Sequence, residues 1–360
     1  VGVPLAVDLY APRVMEASFE GTLRWTSVET LRALAAGDAF LVSNPRQRWL
    51  WWGLLAVAGI DVRTDPTLLV PLVASEGPRR KYPKSPVFVA GGASWPWQNP
   101  SPGLLRVLAH LDKRGQGKVV WYGGVPDGAE APWTLPDHPR LETPGWVDRP
   151  QFLSALASAT AAIDWMMPNP ERKLAFSFRH ADYLGCGLPI LTHRDSPLAD
   201  VLGEAGWAGD DIEHIIDDVL KHPDKVKKRS HAARKLAKST FSLEPALAPL
   251  MDWIEQGTRQ RRVPTDLLEH AQLAAEAARA QQTAASADEA RSRAESEVTR
   301  KRAEVAALVS QIQALTSTVD RLSRAVDEVA GFKRDAITLL GNQGSNDRLS
   351  LEEARAEIAT

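Results

Sequence analysis

Short apolar runs alternate with longer amphipathic stretches along this chain as far as residue 258, and beyond it the period changes. Near the start, Pro4–Tyr10 (PLAVDLY) predicts a strand, and Ser27–Ala36 a helix opened by a Ser27 cap. Ala39–Ser43 (AFLVS) and the apolar helix Pro45–Ala58, with Pro45 in its first turn, repeat that pair, and Leu68–Val73 (LLVPLV) leads out of it. Ser75–Ser85 (SEGPRRKYPKS) is polar, basic and rich in proline, the composition of a linker. A second series then begins. Pro86–Gly92 (PVFVAGG), Lys118–Tyr122 (KVVWY), Ala161–Trp165 (AAIDW) and Leu188–Thr192 read as strands. Gly103–Arg114, Arg149–Ser158 and the segment around Arg179 read as the helices between them. Such alternation builds a parallel sheet covered by helices, and ligands settle beyond the carboxyl ends of its strands.

From Arg259 onward glycine and aromatics almost disappear while alanine and charge rise. Val305, Leu308, Ile312, Leu315, Val319, Leu322, Val326 and Val329 recur at alternating three- and four-residue steps, which is a heptad seam. A lone helix cannot bury such a stripe, so the seam predicts packing on a second copy of the chain, on a partner protein or on the body of this one, with self-association the commonest outcome. Gly341–Asp347 (GNQGSND) is expected to break the helix, leaving Leu349–Ala359 as one short helix in a polar tail. The expected organisation is an α/β domain over 1–75, a linker over 76–85, a second α/β domain over 86–258, a helical coiled coil over 259–340 and a tail over 341–360.

Candidate chemistry is densest in Pro168–Asp200, which runs from a charged loop through the Arg179 helix and a Gly185-Cys186-Gly187 stop into the Leu188 strand. A helix start favours anionic oxygens, and Lys173 and Arg179 add full positive charges, a combination suited to a phosphorylated ligand. Asp182 lies three residues beyond Arg179 on the same face, where its carboxylate can accept two hydroxyl hydrogen bonds from a sugar diol. The competing reading is a surface helix with an Arg179–Asp182 pair worth about 0.2–0.5 kcal/mol. Gly91 and Gly92 end the first strand of the second domain and let the backbone approach a diphosphate or a sugar, with Trp95 and Trp97 placed to stack on a ring. An ordinary turn with two packed aromatics explains the same residues. Asp195, beside His193 and Arg194, falls at the cleft edge after the Leu188 strand. His180 reads as a packing residue more readily than as a base, and Asp8 either faces the cleft or caps the next turn.

The run Ala181-Asp182-Tyr183-Leu184-Gly185-Cys186-Gly187-Leu188-Pro189-Ile190 resembles the segment of retaining GT-B glycosyltransferases, of the family 4 and family 1 type, that carries an acidic residue, a small-residue turn and G-L-P-[IV]. The resemblance extends more loosely over Pro86–Trp253. It implies two Rossmann-like parallel sheets flanked by helices, with the N-terminal domain incomplete, and here a long coiled coil added at the C-terminal end. It also implies that Asp182 binds the ribose of a nucleotide-sugar donor and that Lys173 and Arg179 stabilise the departing diphosphate. The family pattern has a glutamate eight residues before Asp182, where this chain has Leu174, so Glu171 is the nearest acidic candidate for contact with the sugar. The nucleotide-sugar site implied is Gly91, Gly92, Lys173, Arg179, Asp182 and Asp195, with Glu171, Lys173 and Arg179 catalytic. The acceptor would be a glycan, in a bacterial surface-polysaccharide setting. A catalytically silent scaffold of this fold, working through its coiled coil, and an epimerase of nucleotide sugars stay open beside the transferase.

Composition narrows the field. A net charge of −2 over 360 residues argues against a dedicated nucleic-acid surface. Cys186 is the only cysteine, so no intramolecular disulfide forms and a reducing, cytoplasmic setting is expected. The longest apolar candidate, Trp49–Ile60, is too short to span a bilayer, and the first residues lack a basic leader. Association with the inner membrane face would therefore be peripheral. The histidines lack zinc-ligand spacing, and neither a G-x-x-x-x-G-K-[ST] loop, a G-x-G-x-x-G fingerprint nor a G-x-S-x-G elbow occurs. The expectation is a donor substrate with no metal and no bound cofactor.

Overall fold

The computed structural model describes residues 3–126, 129–260, 262 and 267–358. It separates into two compact units, 1–279 and 280–360. The first unit opens with β1 (Ala6–Asp8), α1 (Arg13–Glu20), α2 (Leu23–Ala36), β2 (Ala39–Val42), α3 (Pro45–Val57) and β3 (Thr67–Leu69). These three strands pair in the order β1-β2-β3, all parallel. Their core holds Leu34, Phe40, Trp51 and Leu55, all buried. Asn44 caps α3, its side chain accepting the Arg46 and Gln47 amides, and Pro45 takes the first helical position, where no N–H is needed. Two expectations need correction. α1 has no counterpart in the predicted elements, and Ser27 lies inside α2, where its hydroxyl donates to the Leu23 carbonyl instead of capping the helix.

Residues 70–86 carry no helix or strand. The chain then forms β4 (Val87–Ala93), α4 (Ser101–Arg114), β5 (Lys118–Gly124), β6 (Leu141–Gly145), α5 (Arg149–Ala157), β7 (Ala161–Asp164), α6 (Phe178–Gly185), β8 (Ile190–His193), α7 (Ala199–Leu202) and β9 (Gly206–Gly209). Helices α8 (Ile212–Lys221), α9 (Pro223–Thr240) and α10 (Leu243–Gln256) follow, and α10 returns to pack on β3. The second sheet runs β6-β5-β4-β7-β8-β9, all parallel. One face packs Phe88 and Trp121 against Leu108 of α4 and Ile216 of α8, and the other packs Val89 and Ile190 against Tyr183 and Leu184 of α6 and Ala233 of α9. Each of the fully buried large side chains stabilises the fold by roughly 2–3 kcal/mol.

Strand order decides where a ligand can enter. Connections leave β4 toward β5 on one side, and the chain later returns to β7 on the other, so the order reverses between β4 and β7. A crevice opens at such a switch point, beyond the carboxyl ends of the two strands. Gly91 and Gly92 end β4 and Asp164 ends β7.

The last helix, α11 (Leu267–Ile358), is continuous. The break expected at Gly341–Asp347 does not occur, nor is there a separate short helix after it. Glycine weakens a helix by about 1 kcal/mol relative to alanine but keeps its N–H, and no proline follows to stop the turn. Part of the expected tail, Ala359 and Thr360, lies outside the described residues.

Candidate functional site at the strand-order reversal

Backbone geometry at the end of β4 explains its two glycines. A Cβ on Gly91 would sit 2.1 Å from the Tyr122 carbonyl oxygen of β5. Gly92 has φ +132°, and a Cβ there would lie 2.4 Å from Arg179 Nη1. Glycine is needed in both places: the Tyr122 backbone occupies the space beside Gly91, and Arg179 occupies the space beside Gly92.

Asp164 is the centre of the arrangement. Buried at the end of β7, it accepts from Arg179 Nη2 at 3.0 Å and Arg172 Nη2 at 3.2 Å, and His180 Nε2 lies 2.9 Å away. Burial pushes the Asp164 carboxyl up, but His180, Arg172 and Arg179 together outweigh it and hold the group well below the usual carboxylate range. His180 Nδ1 accepts the Ser177 amide, which puts its proton on Nε2, toward Asp164. Burial lowers the His180 pKa against the pull of Asp164, and the ring packs in the core and takes part in the cap of α6. Asp164 and Arg172 are absent from the sequence-predicted site; the only signal was a carboxylate at the end of the apolar run AAID.

Two cavities flank Arg179. The first, about 280 Å³, is lined by Gly91, Gly92, Tyr122, Trp146, Arg149, Arg179 and Asp182 among others. Arg179 and Asp182 do not pair with each other. Asp182 accepts from Arg149 Nη2 at 2.7 Å and Nη1 at 3.3 Å. That pair uses one edge of the carboxylate and leaves acceptor positions for further donors. Arg149 begins α5, set by the Asp148 cap, and neither it nor Trp146 was singled out in the sequence.

The second cavity, about 430 Å³, opens between the two sheets of the first unit and is lined by Tyr10, Arg13, Glu16, Trp95, Trp97, Glu171, Phe178 and Arg179 among others. Trp95 and Trp97 stack at 5.4 Å with an interplanar angle of 6°. Tyr10 Oη donates to the Phe176 carbonyl at 2.8 Å, and Asn44 Nδ2 to the Leu174 carbonyl at 2.7 Å. Arg46 grips both Asp200 carboxylate oxygens, at 2.6 and 2.7 Å. The loop that carries Glu171 to Ser177 is thus held from the N-terminal side. Asp8 takes no part, since it caps the next turn by accepting the Tyr10 amide.

Glu171 is buried and its Oε2 lacks a hydrogen-bond partner. Burial pushes its carboxyl up to about 7 from an ordinary 4.5. A carboxyl raised on folding holds its proton more tightly in the native state, so stability present at acid pH is lost as pH rises from about 4.5 to 7, by about 3 kcal/mol. Glu171→Gln is expected to flatten that decline, a result read from urea midpoints at about pH 5 and pH 8.

Lys173 and Asp195 stand apart from both cavities. They pair with each other at 3.1 Å, both half-exposed, beside a crevice of about 20 Å³. The structure therefore brings together Gly91, Gly92, Arg179 and Asp182, sets Glu171 across Arg179 from them, and leaves Lys173 outside. Among the described residues no cluster of three His, Cys, Asp or Glu side chains is arranged to hold a metal. No described helix is long and apolar enough to cross a membrane.

A scan of protein-family models and a search of curated proteins find no match to the sequence. Solved structures do match. Sucrose-phosphate synthase (tll1590) from Thermosynechococcus elongatus is 14% identical with a TM-score of 0.53, over 70% of this chain and 67% of that one. Anabaena Alr3699/HepE in complex with UDP and glucose is 12% identical with a TM-score of 0.53, over 70% and 71%. Trehalose-6-phosphate synthase, OtsA, is 11% identical with a TM-score of 0.56, over 72% and 69%. These neighbours are GT-B glycosyltransferases, and at such identities the likeness carries the fold: this chain has the GT-B architecture, with a long helix at its C-terminal end.

Proposed function

We propose that this chain is a glycosyltransferase that moves a sugar from a nucleotide-diphosphate donor to a glycan or related acceptor. The carrying observation is the cavity at the strand-order reversal, where two obligatory glycines, a buried arginine and the Asp182 carboxylate converge in a GT-B fold. In this reading the ribose hydroxyls donate to Asp182, and the diphosphate lies along Gly91 and Gly92 beside Arg179. The bond from the anomeric carbon to the diphosphate breaks while a bond to an acceptor hydroxyl oxygen forms, and the hydroxyl proton passes to the departing diphosphate oxygen. Negative charge grows on the departing diphosphate, and a fixed guanidinium stabilises it without reorganising. Asp164 holds Arg179 in place and offsets part of its charge.

Glu171 takes the sugar-contacting role left by Leu174. Glu171 lines the second cavity with one carboxylate oxygen free of hydrogen bonds and Arg172 Nη1 3.9 Å from it, and the stacked tryptophans there suit a sugar ring. Lys173 would act only after leaving Asp195, and Asp195 would reach the donor only after releasing it. The setting proposed is bacterial surface-polysaccharide synthesis on the cytoplasmic side, with any membrane contact peripheral. Calorimetric titration of UDP, GDP, ADP and dTDP into the full chain tests the reading. Selective binding of one of them supports it, whereas a folded chain that binds none transfers the weight to a silent scaffold.

A further inference from the structure

The second unit presents an apolar seam with a pattern that specifies its occupant. In the heptad register, the a positions are Val298, Val305, Ile312, Val319 and Val326, β-branched without exception. The d positions from residue 308 are Leu308, Leu315, Leu322 and Val329. All of these side chains stand between 51% and 69% exposed, so the single chain leaves the whole seam uncovered. β-branched residues at a with leucine at d favour two parallel strands over three or four. The seam runs from residue 298 to residue 329 and would be about 50 Å long at 1.5 Å per residue. Lys301, at a d position, marks its amino-terminal end.

The flanking positions say what the second strand is. In a parallel, in-register pair each g residue faces the e residue five positions on in the partner. Here Gln311 would face Thr316, Thr318 would face Ser323 and Ala325 would face Ala330, all uncharged and indifferent to self-pairing. The first such pair, Glu297 with Arg302, has opposite charges and forms twice in a homodimer. Glu304 would face the apolar Val309, so no flanking pair joins like charges, and the one like-charge contact is Lys301 meeting its own copy at the amino-terminal end of the seam.

We infer that residues 298–329 form a parallel, in-register, two-stranded coiled coil with a second copy of this chain. The inference stands apart from the donor site and survives if that reading fails.

Sedimentation equilibrium on the full chain tests it. The native protein is expected at twice the chain mass, and the L315K/L322K variant at half of that. Orientation is read from two separate variants, Leu308→Cys and Val329→Cys, under mild oxidation, with the parent chain and its buried Cys186 as control. In the parallel register each new cysteine meets its own copy, so both variants cross-link. An antiparallel pair has one symmetric centre and lets at most one of them do so. A monomer, a trimer, or cross-linking of only one or neither variant would overturn the inference.

Discussion

Asp164→Ala is expected to cost about 3–5 kcal/mol of folding stability, because it leaves two buried guanidinium groups without their counter-charge. Arg172 and Arg179 have side-chain exposures of 7% and 11%, too little for water to replace the lost carboxylate. Urea unfolding reads the effect as a lower midpoint with unchanged slope. Asp164→Asn keeps an acceptor but not the charge and should fall between the alanine variant and the native chain. The pH dependence has the opposite sign to that of Glu171. A carboxyl depressed on folding contributes stability above its ordinary pKa, and that contribution drains away as pH falls. A loss under about 1 kcal/mol for Asp164→Ala would mean that the cluster is hydrated and that Arg179 is positioned by something else.

The same cluster explains what the sequence could and could not reveal. Strands β4, β5, β7 and β8 were legible because each is an apolar run bounded by turn residues, as a strand buried on both faces must be. β6 (LETPG) lies at the sheet edge with three of its five residues exposed, so it shows no apolar run at all. Of the six residues the sequence groups as a nucleotide-sugar site, Gly91, Gly92, Arg179 and Asp182 line one cavity, while Lys173 and Asp195 pair with each other away from it. Their partners were not found because only the sheet order makes them neighbours: Asp164 is 15 residues from Arg179, and Arg149 is 33 from Asp182. Arg172 and Lys173 show the limit most clearly. Adjacent in sequence and alike in charge, they sit in one 3₁₀ turn that buries the first against Asp164 and turns the second out to Asp195.

Asp182→Ala is expected to weaken nucleotide binding about 10²–10⁴-fold, provided the ribose occupies the first cavity. Two hydroxyl hydrogen bonds to a charged acceptor are worth about 1.5–3 kcal/mol each, and alanine removes both. Arg149 gives the necessary contrast. It holds the same carboxylate but is 56% exposed, so its pairing contributes about 1 kcal/mol or less. Arg149→Ala should then change the dissociation constant by less than about fivefold, because Asp182 keeps its place on α6 and regains lone pairs for the diol. Calorimetry on the two variants separates the roles of the pair. Equal losses would show that Asp182 works by orienting Arg149 toward the ligand, in which case the guanidinium is the contact and the carboxylate its support. Unchanged binding in a folded Asp182→Ala chain would place the nucleoside elsewhere, and the cavity across Arg179, with Glu171 and the stacked tryptophans, would then be the one to probe.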